Sequence, residues 1–357
     1  SGLSTEYTLK KFNTYAYSDD FRNQVLKVYS KGVVHLQDVC LLNEWIGLEQ
    51  GKIINHQIHE WGMVPSEIDI LASHGQTIYH APYSLHKNSK FPNGTFQIGD
   101  GDHIAQTTQI ITLSDFRQKQ IAAGGEGAPL APYGDFLLFS SASRERILIN
   151  IGGISNFTYL PVKNSGKDFQ SSDLGPGNTL MDRFVQTHFP GYTFDKDGEI
   201  SDKGRIIPSL LEKFFQDPFF GYPIPKSTGP ERFNLPWLES ILKTLPNSPS
   251  PENIMATLNE LSAESIYRGI KEFLTDDTEI YFSGGGVHNR SLMEKLKAKL
   301  FPSPCMGTEV LGLDPDAKEA VLFALLANEC IAGKSKSFSH DGPLYPQVSM
   351  GKISLPN

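Results

Sequence analysis

The chain has 357 residues, 39% of them hydrophobic and 20% charged, with a formal net charge of −8. That length exceeds one core of ordinary size, so two lobes are expected, and the composition is that of a soluble globular protein. The acidic balance offers no electrostatic basis for holding nucleic acid or an anionic membrane, and no apolar run of about 18 residues or charged-apolar-small leader is read along it. Cys40, Cys305 and Cys330 are widely spaced, odd in number and without metal-ligand spacing, as expected of reduced thiols in a cytoplasmic protein.

In chain order, residues 67–82 (EIDILASHGQTIYHAP) predict a buried strand over 68–72 and then a polar loop. Residues 94–108 (GTFQIGDGDHIAQTT) predict a short strand, a Gly-Asp turn and a helix start. Residues 109–139 predict a strand, an SDFR loop at 114–117, a long Gly/Pro-rich loop and an apolar helix. Alternating strands and helices with polar loops at strand ends are the habit of α/β folds that bind ligands at the carboxyl edge of the sheet. The first lobe is placed at 1–143, a second at 144–333, and a turn-rich tail at 334–357 is expected to pack back on one of them.

In the second lobe, residues 146–162 predict a hairpin joined by Gly152-Gly153, and 171–189 a turn feeding an amphipathic helix. Residues 254–274 place Ile254, Leu258, Leu261, Ile266, Ile270 and Leu274 on one helical face. An apolar strand then runs into Gly284-Gly285-Gly286 and a helix, and 313–333 predict a helix opened by Asp314-Pro315 and closed by Gly333.

Four second-lobe features could carry chemistry. The INIGGISN hairpin (149–156) can turn backbone N–H groups toward phosphate, although a Gly-Gly pair equally makes a plain tight turn. In DLGPGN (173–178) Asp173 precedes a rigid turn and Asn178 a helix N-terminus; an isolated Asp-x-Gly more often satisfies turn amides. SGGGVHN (283–289) lets a ligand touch the chain and offers helix-start donors, with a structural turn at even odds. Glu319 lies in a first helical turn, where plain solvation is the usual role. In the first lobe, SHGQT (73–77), SDFR and GGEGAPL (124–130) place His74, Gln76, Asp115 and Arg117 just after apolar strands, where a sugar or carboxylate could be gripped. Alone, each such residue is more often structural; several together at strand ends favour a site. No G-x-x-x-x-G-K-[ST], H-E-x-x-H, G-x-S-x-G or paired C-x-x-C occurs, and GGGVHN breaks the dinucleotide spacing.

Taken together and in order, SHGQT, QIGDGDHIA, SDFR, IAAGGEGAPLAP, INIGGISN, DLGPGNTLMD, FDKD, PKSTGPERFN, ATLNELSAESI, SGGGVHN and DAKEAVLFALLA resemble the anhydro-N-acetylmuramic acid kinases. The resemblance runs from about residue 60 to 333. It implies a two-lobed α/β fold of the actin-like, ribonuclease H-like ATPases with a cleft between lobes, ATP and Mg²⁺ as cofactors, a small sugar as partner substrate, and a homodimer. It implies conversion of 1,6-anhydro-N-acetylmuramic acid to the 6-phosphate with water opening the 1,6-bridge, in cell-wall recycling and amino-sugar catabolism. Asp173 is carried over as the general base. His74, Gln76, Asp115, Arg117, Gly125, Gly127 and Ala128 are carried over toward the sugar. Gly152, Gly153, Asn156, Gly175, Gly177, Asn178, Gly284, Gly285, Gly286, Asn289 and Glu319 are carried over toward the nucleotide, with Glu319 near the metal. The metal itself has no assigned ligand here and arrives with ATP. Lys226, Ser227 and Thr228 form the KSTG signature, their individual roles open.

Two departures stand out. Glu126 replaces the usual Gln, adding charge. The family's opening strand and Gly-Thr-Ser-Leu-Asp-Gly phosphate loop have no counterpart, so the sequence is read either as a partial record of the native chain or as a homologue that has lost part of its ATP site. The alternatives are thus a catalytically silent nucleotide- or sugar-binding relative, or a kinase for another sugar.

Overall fold

A computed structural model describes residues 2–163, 165–314, 317–333, 346 and 348–356. The chain forms two compact mixed α/β units, one comprising Ser1–Leu138 with Asp316–Asn357 and the other Phe139–Pro315.

The first unit opens with α1 (Asp19–Val28) and α2 (Leu36–Glu60). Ser18 caps α1 by accepting the Phe21 N–H at 3.1 Å, with Asp19 and Asp20 at the positive helix end. Phe21, Val25 and Val28 meet Val39, Leu42 and Ile46 of α2. Next come β1 (Leu71–Ala72), β2 (Gln76–Ala81), α3 (Tyr83–His86), β3 (Gly94–Ile98), α4 (Gly101–Thr108), β4 (Thr112–Ser114), α5 (Phe116–Ala122) and α6 (Ala131–Phe139). β2 and β3 form an antiparallel ribbon whose Ile78 and Ile98 complete the α1–α2 core. Fully burying an aliphatic or aromatic side chain of this kind contributes about 2 kcal/mol. The Gly-Asp turn after β3 is as the sequence reads: Asp100 caps α4 by accepting the N–H groups of Asp102 and His103 at 3.0 and 3.1 Å.

The second unit is built on β5 (Arg146–Ile151), β6 (Ile154–Leu160) and β7 (Gln170–Pro176), three antiparallel strands. α7 (Asn178–His188), α8 (Pro208–Phe214), α9 (Leu235–Leu242) and α10 (Pro251–Ile270) follow. Then β8 (Glu279–Ser283), α11 (Arg290–Leu300) and β9 (Cys305–Gly307) complete a five-stranded sheet in the order β7-β6-β5-β8-β9, with β8 parallel to both β5 and β9. Ile147, Ile149 and Ile151 of β5 are fully buried beneath Ala263, Ile266 and Ile270 of α10 and Leu292 and Leu296 of α11. The predicted apolar positions of α10 are buried in two places: Ile266 and Ile270 join this sheet core, while Ile254, Leu258 and Leu261 pack with α7 and α8; Leu274 falls beyond the helix and is half-buried.

α12 (Lys318–Ala332) and β10 (Lys352–Ser354) return to the first unit. β10 runs antiparallel to β4, which is parallel to β1. Residues 334–345 and 347 of the tail, and Pro315 of the expected Asp314-Pro315 helix start, lie outside the described residues. The sequence reading grouped α12 with the second lobe; it packs instead on β1, and Leu322 fills the space over Gly134 of α6. Position along the chain cannot reveal which apolar surface receives a helix.

Three local expectations also change. Of residues 68–72 only Leu71 and Ala72 join a ladder, paired with Thr112 and Leu113. SDFR is not a loop: Ser114 ends β4 and Phe116 and Arg117 begin α5. The stretch 171–176, read as a turn, is strand, because β6 supplies backbone partners from Ser171 to Pro176 that outweigh the Gly-Pro turn signal. Among the described residues no helix is long and apolar enough to cross a membrane, and Cys40, Cys305 and Cys330 are free thiols.

Candidate active-site elements

In the second unit three glycine-bearing turns interlock. The β5–β6 hairpin offers the Gly152 and Gly153 carbonyls to the start of α7: Gly177 N–H donates to Gly153 at 3.0 Å and Asn178 N–H to Gly152 at 2.8 Å. A side chain on Gly177 would strike the Gly152 carbonyl, and one on Gly153 the Thr179 hydroxyl. The third turn follows β8. Gly284 has φ +86°, and a Cβ there would sit 2.7 Å from both Asn150 Oδ1 and the Ile151 carbonyl; one on Gly286 would enter the Ile151 side chain. Two of the three consecutive glycines are therefore demanded by packing on β5. Gly285 is different: its nearest neighbour would be Asn178 Nδ2 at 3.5 Å, so this position leaves the backbone open to a ligand. The turn is a 3-10 segment (Gly285–His288), and Asn289 then caps α11 by accepting Leu292 N–H at 3.0 Å.

Beside this turn, at the carboxyl ends of β8 and β9, lies a cavity of about 450 Å³ bordered by Phe282, Val287, His288, Met293, Met306 and Glu309. Ligands of parallel α/β sheets bind at this edge, and the volume suits a small molecule. A cavity of about 300 Å³ on the first unit, between α1 and α2, is bordered by Leu41 and Trp45 and by none of the sequence-predicted residues.

Asp173 is half-buried on β7, opposite Asn156 of β6. Its N–H donates to the Lys226 carbonyl at 3.0 Å, and its Oδ2 accepts the Thr228 N–H at 2.8 Å. Burial pushes its carboxyl up to about 6; the Thr228 N–H opposes this, and the Glu231 carboxylate adds to it. That is the range in which a carboxylate works as a general base near neutral pH. Gly175 follows with φ +145°, pressed against Phe220 and Ser265 of α10.

In the first unit His74, Arg117 and Gly127 converge. The Arg117 guanidinium donates to His74 Nε2 at 2.8 Å and to the Gly127 carbonyl at 2.8 Å. Burial and then the Arg117 charge hold His74 down at about 4, a neutral imidazole. Burial also lowers Arg117, while the Glu319 carboxylate raises it. The 124–130 loop is tied at three successive residues: Asn93 donates to the Gly125 carbonyl at 2.9 Å, Thr95 to that of Glu126 at 3.1 Å, and Gln120 Oε1 accepts Gly127 N–H. Ala128, next in that loop, is half-buried. Asp115 has φ +50°; its Oδ2 accepts from Lys352 at 2.6 Å, and its Oδ1 is buried without a partner among the described residues.

The structure thus gathers Gly152, Gly153, Gly177, Asn178 and Gly284–Gly286 in one place, with Asp173, Asn156 and Gly175 along β7 and β6. Glu319, read as nucleotide-side, is exposed on α12 and acts on Arg117. The Gln76 side chain donates locally, to the Thr77 carbonyl at 3.0 Å. Sequence reasoning missed Gln97, whose amide lies 2.8 Å from His74 Nε2 and 2.7 Å from Thr77 Oγ1. Its position across the β2–β3 ladder depends on a register that a loop of that length does not set.

The sequence pattern of the anhydro-N-acetylmuramic acid kinase family matches residues 3–351. A protein named anhydro-N-acetylmuramic acid kinase from Pseudoalteromonas atlantica is 45% identical over all of this chain and 90% of its own length. One of the same name from Caldanaerobacter subterraneus is 34% identical over 99% of this chain and 91% of its own. Among solved structures, a xylulose kinase from Rhodospirillum rubrum superposes with a TM-score of 0.35 at 12% identity, covering 79% of this chain and 50% of that one, too loosely to argue from. By sequence over nearly its whole length, this chain belongs to the anhydro-N-acetylmuramic acid kinase family.

Proposed function

We propose that the protein is an ATP-dependent kinase that converts 1,6-anhydro-N-acetylmuramic acid to N-acetylmuramic acid 6-phosphate, in cell-wall recycling and amino-sugar catabolism. The observation that carries the chemistry is Asp173, a half-buried carboxylate held at about 6 by its surroundings, in a chain of this family. In the reaction, Asp173 takes a proton from water as the water oxygen bonds to the anomeric carbon. The C1–O6 bond breaks, and O6 takes the γ-phosphoryl group from ATP, releasing ADP.

The interlocked glycine turns of the second unit suit a polyphosphate: Gly285 leaves its backbone uncovered, and small residues let phosphate oxygens approach N–H groups. The neighbouring cavity suits the nucleoside part. Mg²⁺ supplies neutralisation of charge on the transferring phosphate and comes with the nucleotide. Among the described residues one group of three acids and histidines lies close enough to hold an ion, Glu44, Asp100 and His103. Its two carboxylates bond opposite imidazole nitrogens, at 2.8 and 2.9 Å, so they form an ion-pair bridge rather than a cage. In the first unit, neutral His74 and the Arg117 guanidinium supply donors for a sugar hydroxyl or the lactyl carboxylate.

The sheet of three antiparallel strands extended by two parallel ones supports the actin-like assignment. A cytoplasmic location, supported by the free thiols, and a homodimer, which the resemblance implies, belong to the same proposal.

The test is mass spectrometry of the sugar after incubation with Mg-ATP. A product heavier by one phosphoryl group plus one water is expected. A sugar left unchanged, or phosphorylated without water, would overturn the assignment.

A further inference from the structure

Lysines in a kinase's signature loops invite assignment to phosphate. Lys226 is engaged elsewhere. Its ammonium donates to the carbonyls of Phe219 and Phe220 at 3.0 and 3.5 Å and lies 4.4 Å from the centre of the Phe219 ring. This closes the segment 217–234 on itself. The far end of that segment is tied at Asp217, whose side chain is only 11% exposed. Asp217 Oδ1 accepts from Arg232 Nε at 3.0 Å and Phe219 N–H at 2.9 Å, and its Oδ2 accepts from Trp237 Nε1 at 2.9 Å. Arg232 N–H returns to the Gly229 carbonyl at 3.1 Å.

The same segment grips β7 at the candidate base. Lys226 N–H donates to Ser172 Oγ at 3.0 Å, and Asp173 N–H donates to the Lys226 carbonyl at 3.0 Å. Two residues on, the Thr228 N–H reaches Asp173 Oδ2 at 2.8 Å, and the Thr228 hydroxyl beside it is buried without a partner among the described residues. One backbone tie and one carboxylate tie therefore connect this closed loop to Asp173, and a third bond joins it to the hydroxyl of Ser172 beside it.

We propose that segment 217–234 is a strap that orients Asp173, and that Lys226 is a positioning residue that locks this strap rather than a ligand of phosphate. The strap deepens the kinase assignment above and rests on it for Asp173's role as base. The strap acts on the Asp173 carboxyl in two opposed ways, its Thr228 N–H lowering it and its Glu231 carboxylate, more weakly, raising it. The other elements packed on β7 present neutral groups there: Asn156 from β6 and Ser265 from α10, the latter against Gly175. Releasing the strap removes both of its effects, so the titration of Asp173 moves from its wild-type position. Removing a cation that acted directly on the site would move it too, but only when the lysine itself is replaced. A variant that loosens the strap and keeps the lysine therefore separates the two roles.

The experiment is a ¹³C carboxyl NMR titration of Asp173 in the full chain, in wild type, Lys226→Met and Asp217→Asn, with ATP titrations and kinetics alongside. Asp217→Asn loosens the far end of the strap and leaves the lysine intact. Circular dichroism first establishes that each variant is folded. The expected result is a clear move of the Asp173 titration in Lys226→Met, a smaller one in the same direction in Asp217→Asn, and ATP affinity within about twofold of wild type in both, a tenfold affinity change being 1.4 kcal/mol. An unmoved titration in either folded variant, or a loss of ATP affinity of about tenfold or more in Lys226→Met, would overturn the strap. The titration needs no turnover, so it can succeed or fail independently of the sugar assay, whose failure would sink the kinase assignment alone.

Discussion

The Arg117 guanidinium donates to His74 Nε2 at 2.8 Å while its other edge donates to the Gly127 carbonyl at 2.8 Å, so one half-buried cation joins the loop after β1 to the loop after α5. An imidazole that accepts from a guanidinium through Nε2 stays neutral, and its burial enforces the same state. His74 is therefore an acceptor toward Arg117 through Nε2 and, as a neutral imidazole, keeps a single N–H, on Nδ1.

Arg117→Met is expected to raise the His74 titration from about 4, though not to an ordinary histidine's value, since burial, the larger cause, remains. The unfolded imidazole, titrating near 6.5, binds more protons than the native one between about 4 and 6.5. This contribution is thus fully present above that window and lost as pH falls through it. Histidine NMR with thermal melts at pH 4.5 and 7.5 checks both points. A His74 signal titrating near 6.5 in wild type would refute them.

Asp173→Asn is expected to reduce turnover by about 10²–10⁴-fold, the usual contribution of a general base, with ATP affinity retained. In wild type, activity should fall as pH drops through about 6, where the carboxylate is protonated. Since the native carboxyl binds more protons than the unfolded one between about 4 and 6, it destabilises the fold above that window. Asp173→Asn should therefore melt at a higher temperature at pH 7.5, and the gain should vanish near pH 4. Near-normal turnover in this variant would remove Asp173 from the role of base.

Gly285 and Gly286 should respond differently to alanine. Gly286→Ala forces a methyl group into Ile151 of the central strand and should cost about 1–3 kcal/mol, as overpacking does. Gly285→Ala has room for its methyl, so stability should stay within about 0.5 kcal/mol. Its ATP affinity should nevertheless fall about tenfold or more, 1.4 kcal/mol corresponding to each factor of ten. Urea melts and ATP titrations of both variants separate these effects; equal ATP affinity in Gly285→Ala and wild type would take the nucleotide away from this turn.

Phe184 of α7 is 1% exposed and packs with Leu210, Phe214 and Leu258. Phe184→Ala should destabilise by about 3–5 kcal/mol through lost burial and the cavity left behind. Denaturant unfolding measures it, and a loss below about 1 kcal/mol would mean that α7, α8 and α10 do not share one core.

Much of the second unit was legible in the sequence because its signals are local. Gly152-Gly153 between two β-rich runs makes a hairpin by backbone geometry alone. The apolar spacing from Ile254 to Ile270 makes a buried helix, and a strand running into consecutive glycines marks a special turn. The ordered motifs likewise sufficed to identify the family. Tertiary structure decided what depends on partners distant in the chain. It assigned Gly284 and Gly286 to packing on Ile151 and left open space at Gly285. It made residues 171–176 a strand because β6 lay alongside, carried α12 to the first unit, and brought Gln97 to His74 and Thr228 to Asp173. Local propensity acts over a few residues, whereas register, the docking of an apolar face and the hydrogen bonds of a buried carboxylate are set only when segments far apart in the chain meet.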